Sequence, residues 1–355
     1  MTKENKTELI GFTCAYTPLA VIDAAGYAPF RVLPVGESPD QAGSLLHDNL
    51  CPHVKRILDR AFAGDLPDMA GMVFINSCDA MRRLADAWQK VRPDEPVIRL
   101  DLPTTPDEYS VSYFAGEIKA LADTLSGISG QPVDQEQIRK SITRYNELSA
   151  MLANLKNRVS SGALTGGSPR MQEFYNRAST EPADQLTSEL SQVADESEPV
   201  ERTKDSVPVF LFGNVLPDTE AFSLFESCGA HIADDDFCTG SRLFSSAGNG
   251  PDESKDVFVQ LAENILSQPP CARTFDPTSP GKMGRDILSR AKECNAKGVI
   301  GHALKFCDPY LVRLPLVRDI FRDEGIPLLL LEGDCTLRSI GQHRTRIEAF
   351  IEMLR

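Results

Sequence analysis

Nine cysteines are spread over 355 residues, at Cys14, Cys51, Cys78, Cys228, Cys238, Cys271, Cys294, Cys307 and Cys335. No two form a CxxC pair, so the chain carries neither a zinc knuckle nor a ferredoxin-type run, and a metal site has to be assembled from distant segments. Two of the cysteines share a context. Cys78 follows the apolar run Met72–Asn76 and precedes Asp79; Cys307 follows Gly298–Phe306 and precedes Asp308 and Pro309. An apolar strand, then Cys-Asp, then a helix sets a thiol at a helix N-terminus, where the dipole and free N–H groups favour a thiolate. Cys51 also opens a helix, with Pro52 at an early helical position. Cys14 comes just after the first strand, Cys335 after the last, and Cys238 in the loop Asp234–Arg242, which opens on three acids. Cys228, Cys271 and Cys294 look ordinary, two in helices and one in a proline-flanked loop. In open α/β sheets ligands bind beyond the carboxyl ends of the strands, so the other six cysteines stand where such proteins build sites. Singly, each could equally be a small core hydrophobe.

The elements that must carry these thiols read as two α/β units. In the first, Leu9–Phe12, Ala28–Leu33, Met72–Asn76 and Val97–Leu100 are strands. A helical run from Pro18 to Ala25 stops at Gly26, and Asp79 caps another that reaches Trp88. From about Pro132 the strand-like runs vanish. Asp134–Val159 has helical periodicity, and Ser179–Asp205, rich in acid, Ser and Pro, reads as a solvated linker. The second unit has strands at Val207–Phe212, Gly298–Ala303 and Ile326–Leu331. Its helices fit Pro217–Cys228, Asp252–Ser267, Lys282–Ala296, Leu311–Glu324 and Arg338–Leu354. The expected fold is α/β, with two doubly wound (Rossmann/flavodoxin-like) parallel-sheet domains at 1–130 and 206–355, joined by a helical connector and linker at 131–205.

Charge and hydropathy narrow the partners. With 51 acidic against 37 basic residues the formal charge is −14, the wrong sign for nucleic acid or an anionic membrane surface. No stretch resembles a signal peptide and no apolar run reaches about 18 residues. The expectation is a cytoplasmic protein in a reducing compartment, where disulfides are disfavoured.

Longer stretches carry a resemblance. Cys14–Val32 (CAYTPLAVIDAAGYAPFRV), Leu50–Arg56 (LCPHVKR), Ile75–Trp88 (INSCDAMRRLADAW), Asp235–Arg242 (DDFCTGSR) and above all Ala303–Asp334 with Gly341–Leu354 resemble motifs of the 2-hydroxyacyl-CoA dehydratase and benzoyl-CoA reductase family, in its iron–sulfur catalytic subunits. The likeness spans both halves and weakens from about Asp134 to Asp205. It implies a 4Fe–4S cluster on Cys51, Cys78 and Cys307, with one iron open to substrate. It also implies an oxygen-sensitive dehydratase subunit using a single-electron, ketyl-radical route, an acyl-CoA substrate and a separate ATP-dependent iron–sulfur activator. A related iron–sulfur subunit would complete a homo- or heterodimer. Some members instead resemble reductases of small unsaturated substrates that carry a double-cubane (8Fe–9S) cluster on six cysteines. Here Cys14, Cys238 and Cys335 would supply the additional three. The single cube is the reading taken, with the double cubane as its alternative; a subunit without chemistry would need no iron.

Other residues are secondary candidates. Arg242 suits a CoA phosphate or a carboxylate, or else a pair with the adjacent acidic run. His302 and Lys305 flank the Cys307 strand end and are weak candidates for proton transfer, although His302 equally fits a core position. Glu37 and Ser38 fit a plain turn, and Arg344 and Arg346 fit ion pairs at a domain interface.

Overall fold

Short apolar strands alternating with amphipathic helices build two four-stranded, all-parallel sheets. The computed structural model describes residues 7–36, 40–196, 206–245, 250–336 and 340–355. The first unit runs β1 (Leu9–Phe12), α1 (Leu19–Ala24), β2 (Ala28–Arg31), α2 (Pro52–Ala63), β3 (Gly71–Asn76), α3 (Asp79–Val91) and β4 (Val97–Asp101). Four helices follow: α4 (Glu108–Ser129), α5 (Gln135–Ser161), α6 (Gly167–Ala178) and α7 (Ala183–Glu196). The second unit runs β5 (Val207–Gly213), α8 (Thr219–Ser227), β6 (Ala230–Asp236), α9 (Val257–Leu266), α10 (Lys282–Glu293), β7 (Gly298–Leu304), α11 (Asp308–Asp323), β8 (Leu328–Gly333) and α12 (Ile340–Leu354). No helix among the described residues is long and apolar enough to cross a membrane.

The strand orders are β2-β1-β3-β4 and β6-β5-β7-β8, the same winding used twice. Each order reverses direction at its first strand, so a crevice opens beyond the carboxyl ends of β1 and β3, and another beyond those of β5 and β7. The central strands are covered on both faces, as parallel strands require: every residue of β7 and all of β3 but Asn76 are buried. Between the sheets lies a helical layer. α1, α4, α5, α6 and α7 share one core with Leu243, Phe244, Leu261 and Ile265, so the chain after β6 returns to pack α9 against α4.

Close approach at the end of β5 requires a glycine. A Cβ on Gly213 would stand 2.3 Å from the carbonyl oxygen of His302 on β7 and 2.6 Å from the Phe237 ring. The Gly213 carbonyl accepts a 2.6 Å hydrogen bond from the hydroxyl of Tyr310, tying α11 to the strand end.

Three local expectations need correction. The run around Asp234–Asp236 is not a loop but the end of β6, because Lys156, Arg242 and Arg290 pair with its carboxylates and make it buriable. Part of the expected linker is α7, whose Leu186, Leu190 and Ala194 sit four residues apart and bury one stripe beneath an acidic face. Asp79 is the first residue of α3 and Cys78 is its N-cap. Glu37, Ser38 and residues 197–205 lie outside the described residues. Arg344 pairs within α12 with Glu348 at 3.5 Å, and Arg346 donates to the Leu330 carbonyl at 2.7 Å, so neither bridges a domain interface.

Candidate functional site

The carboxyl ends of both sheets face a single cavity of about 440 Å³. Cys14, Cys51, Cys78, Cys238, Cys271 and Cys307 all line it, three thiols from each half of the chain. Their placement follows from local structure. Cys51, Cys78 and Cys307 are the N-caps of α2, α3 and α11, and none spends its side chain on capping. Pro52 and Pro309 sit in the first helical turns, where their missing N–H costs nothing. Cys14 lies in the turn between β1 and α1. Cys238 follows β6, its N–H held by the Asn214 carbonyl at 2.7 Å. Cys271 follows α9 and is set by a 3.3 Å hydrogen bond from its N–H to the Tyr16 hydroxyl, 255 residues away in sequence. Beside Cys307, Phe306 adopts a left-handed backbone (φ 57°), uncommon for a bulky side chain, and stands 47% exposed at the cavity mouth.

Among the described residues no three His, Cys, Asp or Glu side chains converge as a single bound ion would need. The thiols ring a space instead. Around it they are electrostatic neighbours: Cys14 with Cys78 and Cys238, Cys51 with Cys78 and Cys307, Cys307 with Cys78 and Cys238. Cys238 and Cys271 are hydrogen-bonded to each other. Burial pushes Cys14 up to about 11, Cys51 to about 12 and Cys307 to about 11, and raises Cys78. Cys238 moves the other way, because the Cys271 thiol donates to it and the Arg242 and Arg31 guanidiniums lie close.

The sulfurs have polar partners. Arg242 Nη1 donates to Cys238 Sγ at 2.9 Å and Asn214 Nδ2 donates to Cys307 Sγ at 2.9 Å. Arg31 reaches the cavity from the end of β2; its Nη1 donates to the Cys238 carbonyl and its Nη2 to the Thr13 carbonyl at 3.3 Å. His53, also lining the cavity, is kept neutral by burial and by Arg31, its pKa falling to about 3. Met81, Val215, Leu304 and Tyr16 complete the wall.

The residues that stand out in the sequence divide on this geometry. Cys14, Cys51, Cys78, Cys238 and Cys307 come together. Cys335 does not line the cavity; it is packed behind it with Cys51, Val215 and Leu304. Arg242 is unavailable to a CoA phosphate: it is fully buried and bound by Asp236 through two bonds of 3.0 and 2.7 Å. His302 is buried beside His343, around Gly333, away from the cavity, and Lys305 is exposed outside it. Cys271, Arg31, His53 and Asn214 join the site from positions that do not stand out in the sequence. For Cys271 the sequence carries no local signal beyond two preceding prolines.

Comparison with known proteins covers nearly the whole chain. A family model described as 2-hydroxyglutaryl-CoA dehydratase, D-component, matches residues 14–354. The (R)-phenyllactyl-CoA dehydratase beta subunit of Clostridium sporogenes is 26% identical over 356 residues, covering 97% of this chain and 91% of that protein. The beta subunit of lactoyl-CoA dehydratase from Anaerotignum propionicum is 23% identical, covering 97% and 91%. A benzoyl-CoA reductase subunit from Thauera aromatica is 22% identical, covering 91% and 84%.

Proposed function

The chain belongs to the 2-hydroxyglutaryl-CoA dehydratase D-component family, and from that premise we propose that it is an iron–sulfur subunit whose six cavity thiols hold a double-cubane cluster. The observation that carries this reading is the single cavity lined by Cys14, Cys51, Cys78, Cys238, Cys271 and Cys307. Iron–sulfur clusters are held by thiolates, and a sulfide-bridged pair of cubes needs about six of them where a single open cube needs about three. The donor set fits: the thiols are soft and surround a volume rather than a point, Cys238 is already shifted toward its thiolate, and a bound metal overcomes the raised pKa values of Cys14, Cys51 and Cys307 by deprotonating them. When bound, such a cluster supplies electrons at low potential.

The chain's own residues do the remaining work. Arg242 and Asn214 donate hydrogen bonds to Cys238 and Cys307, fixing the sulfurs and damping their charge. Met81, Val215, Leu304 and Tyr16 keep water from the inner wall. Phe306, Val312 and Arg313 frame the mouth, where a substrate enters. The activity proposed is reduction of a small unsaturated substrate, with the acyl-CoA chemistry in the relatives' names as its competitor. In this reading a separate ATP-dependent iron–sulfur activator delivers the electrons, and a related subunit pairs with this chain in an oxygen-poor cytoplasm. The D-component description and the beta-subunit names of the relatives support a multi-subunit system.

The competing single cube would rest on Cys51, Cys78 and Cys307 alone. Cys271→Ala and Cys335→Ala, purified without oxygen, separate the two. The proposal expects Cys271→Ala to lose at least about half of its iron and Cys335→Ala to keep all of it. Undiminished iron in Cys271→Ala would favour the single cube.

A further inference from the structure

Among the described residues two arginines are almost fully buried, Arg242 and Arg31, and only Arg242 has a carboxylate within ion-pair distance. Asp236 is matched by Arg242 at 2.7 Å and Arg290 at 3.2 Å, and Asp234 by Lys156 at 2.8 Å. Arg31 is only 2% exposed, yet among the described residues no carboxylate lies within ion-pair distance of it. Its partners are two backbone carbonyls, of Cys238 and Thr13, and the Phe12 ring, whose centroid is 6.0 Å from its guanidinium carbon. Arg242, another cation, acts on it as well and adds repulsion. A buried ion without a partner is strongly unfavourable, and carbonyl dipoles offset only part of that. Since Arg31 lines the cavity, the missing negative charge belongs inside it.

The thiols nearest this charge are Cys14 and Cys238. On the other side, Cys307 has a neutral amide, Asn214, as donor, and the cation acting on Cys78 is Arg273, which lies partly in solvent against Thr104 and Leu102. The cavity is therefore polarised across its width: two buried guanidiniums at one end, and at the other a neutral donor with two part-exposed, screened cations, Arg273 and Arg313.

We infer that Arg31 is a positioning residue for charge: it compensates an anionic occupant at the Cys14–Cys238 end of the cavity and makes that end the easier one to reduce. The inference rests on the cluster reading above. Adding an electron adds negative charge, and a fixed cation in a dry site stabilises the reduced form, so net charge and hydrogen bonding near the sulfurs set the potential.

The test uses the full chain, purified without oxygen, as wild type, Arg31→Lys, Arg31→Gln and the solvent-side control Arg273→Gln. Iron per chain is counted, and reduction potentials are measured by mediated titration followed by electron resonance and visible absorbance. Arg31→Lys is expected to keep its iron and a potential close to wild type. Arg31→Gln is expected to keep iron with its higher potential shifted to more negative values, by more than in Arg273→Gln. Loss of iron in Arg31→Gln but not in Arg31→Lys would support the same role, since Lys keeps the positive charge that Gln lacks. Full iron with an unmoved potential in Arg31→Gln would overturn the inference, as would equal shifts or equal iron loss in the Lys and Gln variants, which mark a strut rather than a charge. A wild-type chain that takes up no iron contradicts the cluster reading itself, and this inference with it.

Discussion

The two sheets are wound alike but charged differently at the same place. Arg31 ends edge strand β2 in register with Phe12 of β1; Asp236 ends edge strand β6 in register with Phe212 of β5. Asp236 is neutralised within the protein by Arg242 and Arg290. Arg31 has only carbonyls. The C-terminal half thus completes its own electrostatics, and the N-terminal half leaves a positive charge for the cavity to answer. Each half supplies three thiols, so the comparison separates what the fold needs from what an occupant needs.

The largest expected effect lies in what both halves share. Cys78→Ser and Cys307→Ser, at matching strand ends, should each strip or cripple the iron content of protein purified without oxygen. Full iron and an unchanged resonance in both would break the equivalence. Next comes the internally compensated charge. Asp236→Asn leaves the fully buried Arg242 without its carboxylate and Arg290 with Asp234 alone, and should destabilise the fold by about 3–5 kcal/mol, read as a lower urea midpoint. Arg31→Gln in iron-free protein should move stability by about 1 kcal/mol or less, because no counter-charge is orphaned and the relief of a buried charge offsets the hydrogen bonds lost at two carbonyls. Equal losses in the two variants would erase the distinction.

A smaller effect is pH-dependent; His53 in the N-terminal half and His302 in the C-terminal half both contribute, and His302, outside the cavity, is the one to test. Burial, with nearby His343, holds His302 down to about 4, below its usual 6.5. Between these values the unfolded chain binds a proton that the folded chain does not, so folded stability falls as pH drops from about 6.5 to about 4, by at most about 1.4 kcal/mol per pH unit. His302→Leu should flatten this arm in thermal melts taken across that range; an identical slope would remove His302 from the acid response.

Much of this arrangement is legible in the sequence because strand-end and helix-start chemistry is local. Cys51, Cys78 and Cys307 declare themselves by what adjoins them, and the parallel sheets by alternating apolar runs. Cys271 cannot be found that way, since a contact with Tyr16 across 255 residues places it. Cys335 obeys the same local grammar as Cys307, yet its side chain turns into the core beside Cys51. β6 is hidden because three consecutive acids read as solvated until their cations, from α5, α10 and the turn after Gly240, are in place. In α7 the spacing of Leu186, Leu190 and Ala194 is a readable signal that the acidic composition masks. Arg31 looks like any residue at a strand edge, and only its burial without a carboxylate gives it meaning.

The central claim is that six thiols from two like-wound sheets serve one occupant. The most direct measurement is iron and acid-labile sulfide per chain in protein purified and handled without oxygen. The account predicts about eight irons, from two bridged cubes on six thiolates. About four irons, a count that three thiolates suffice to hold, would contradict it.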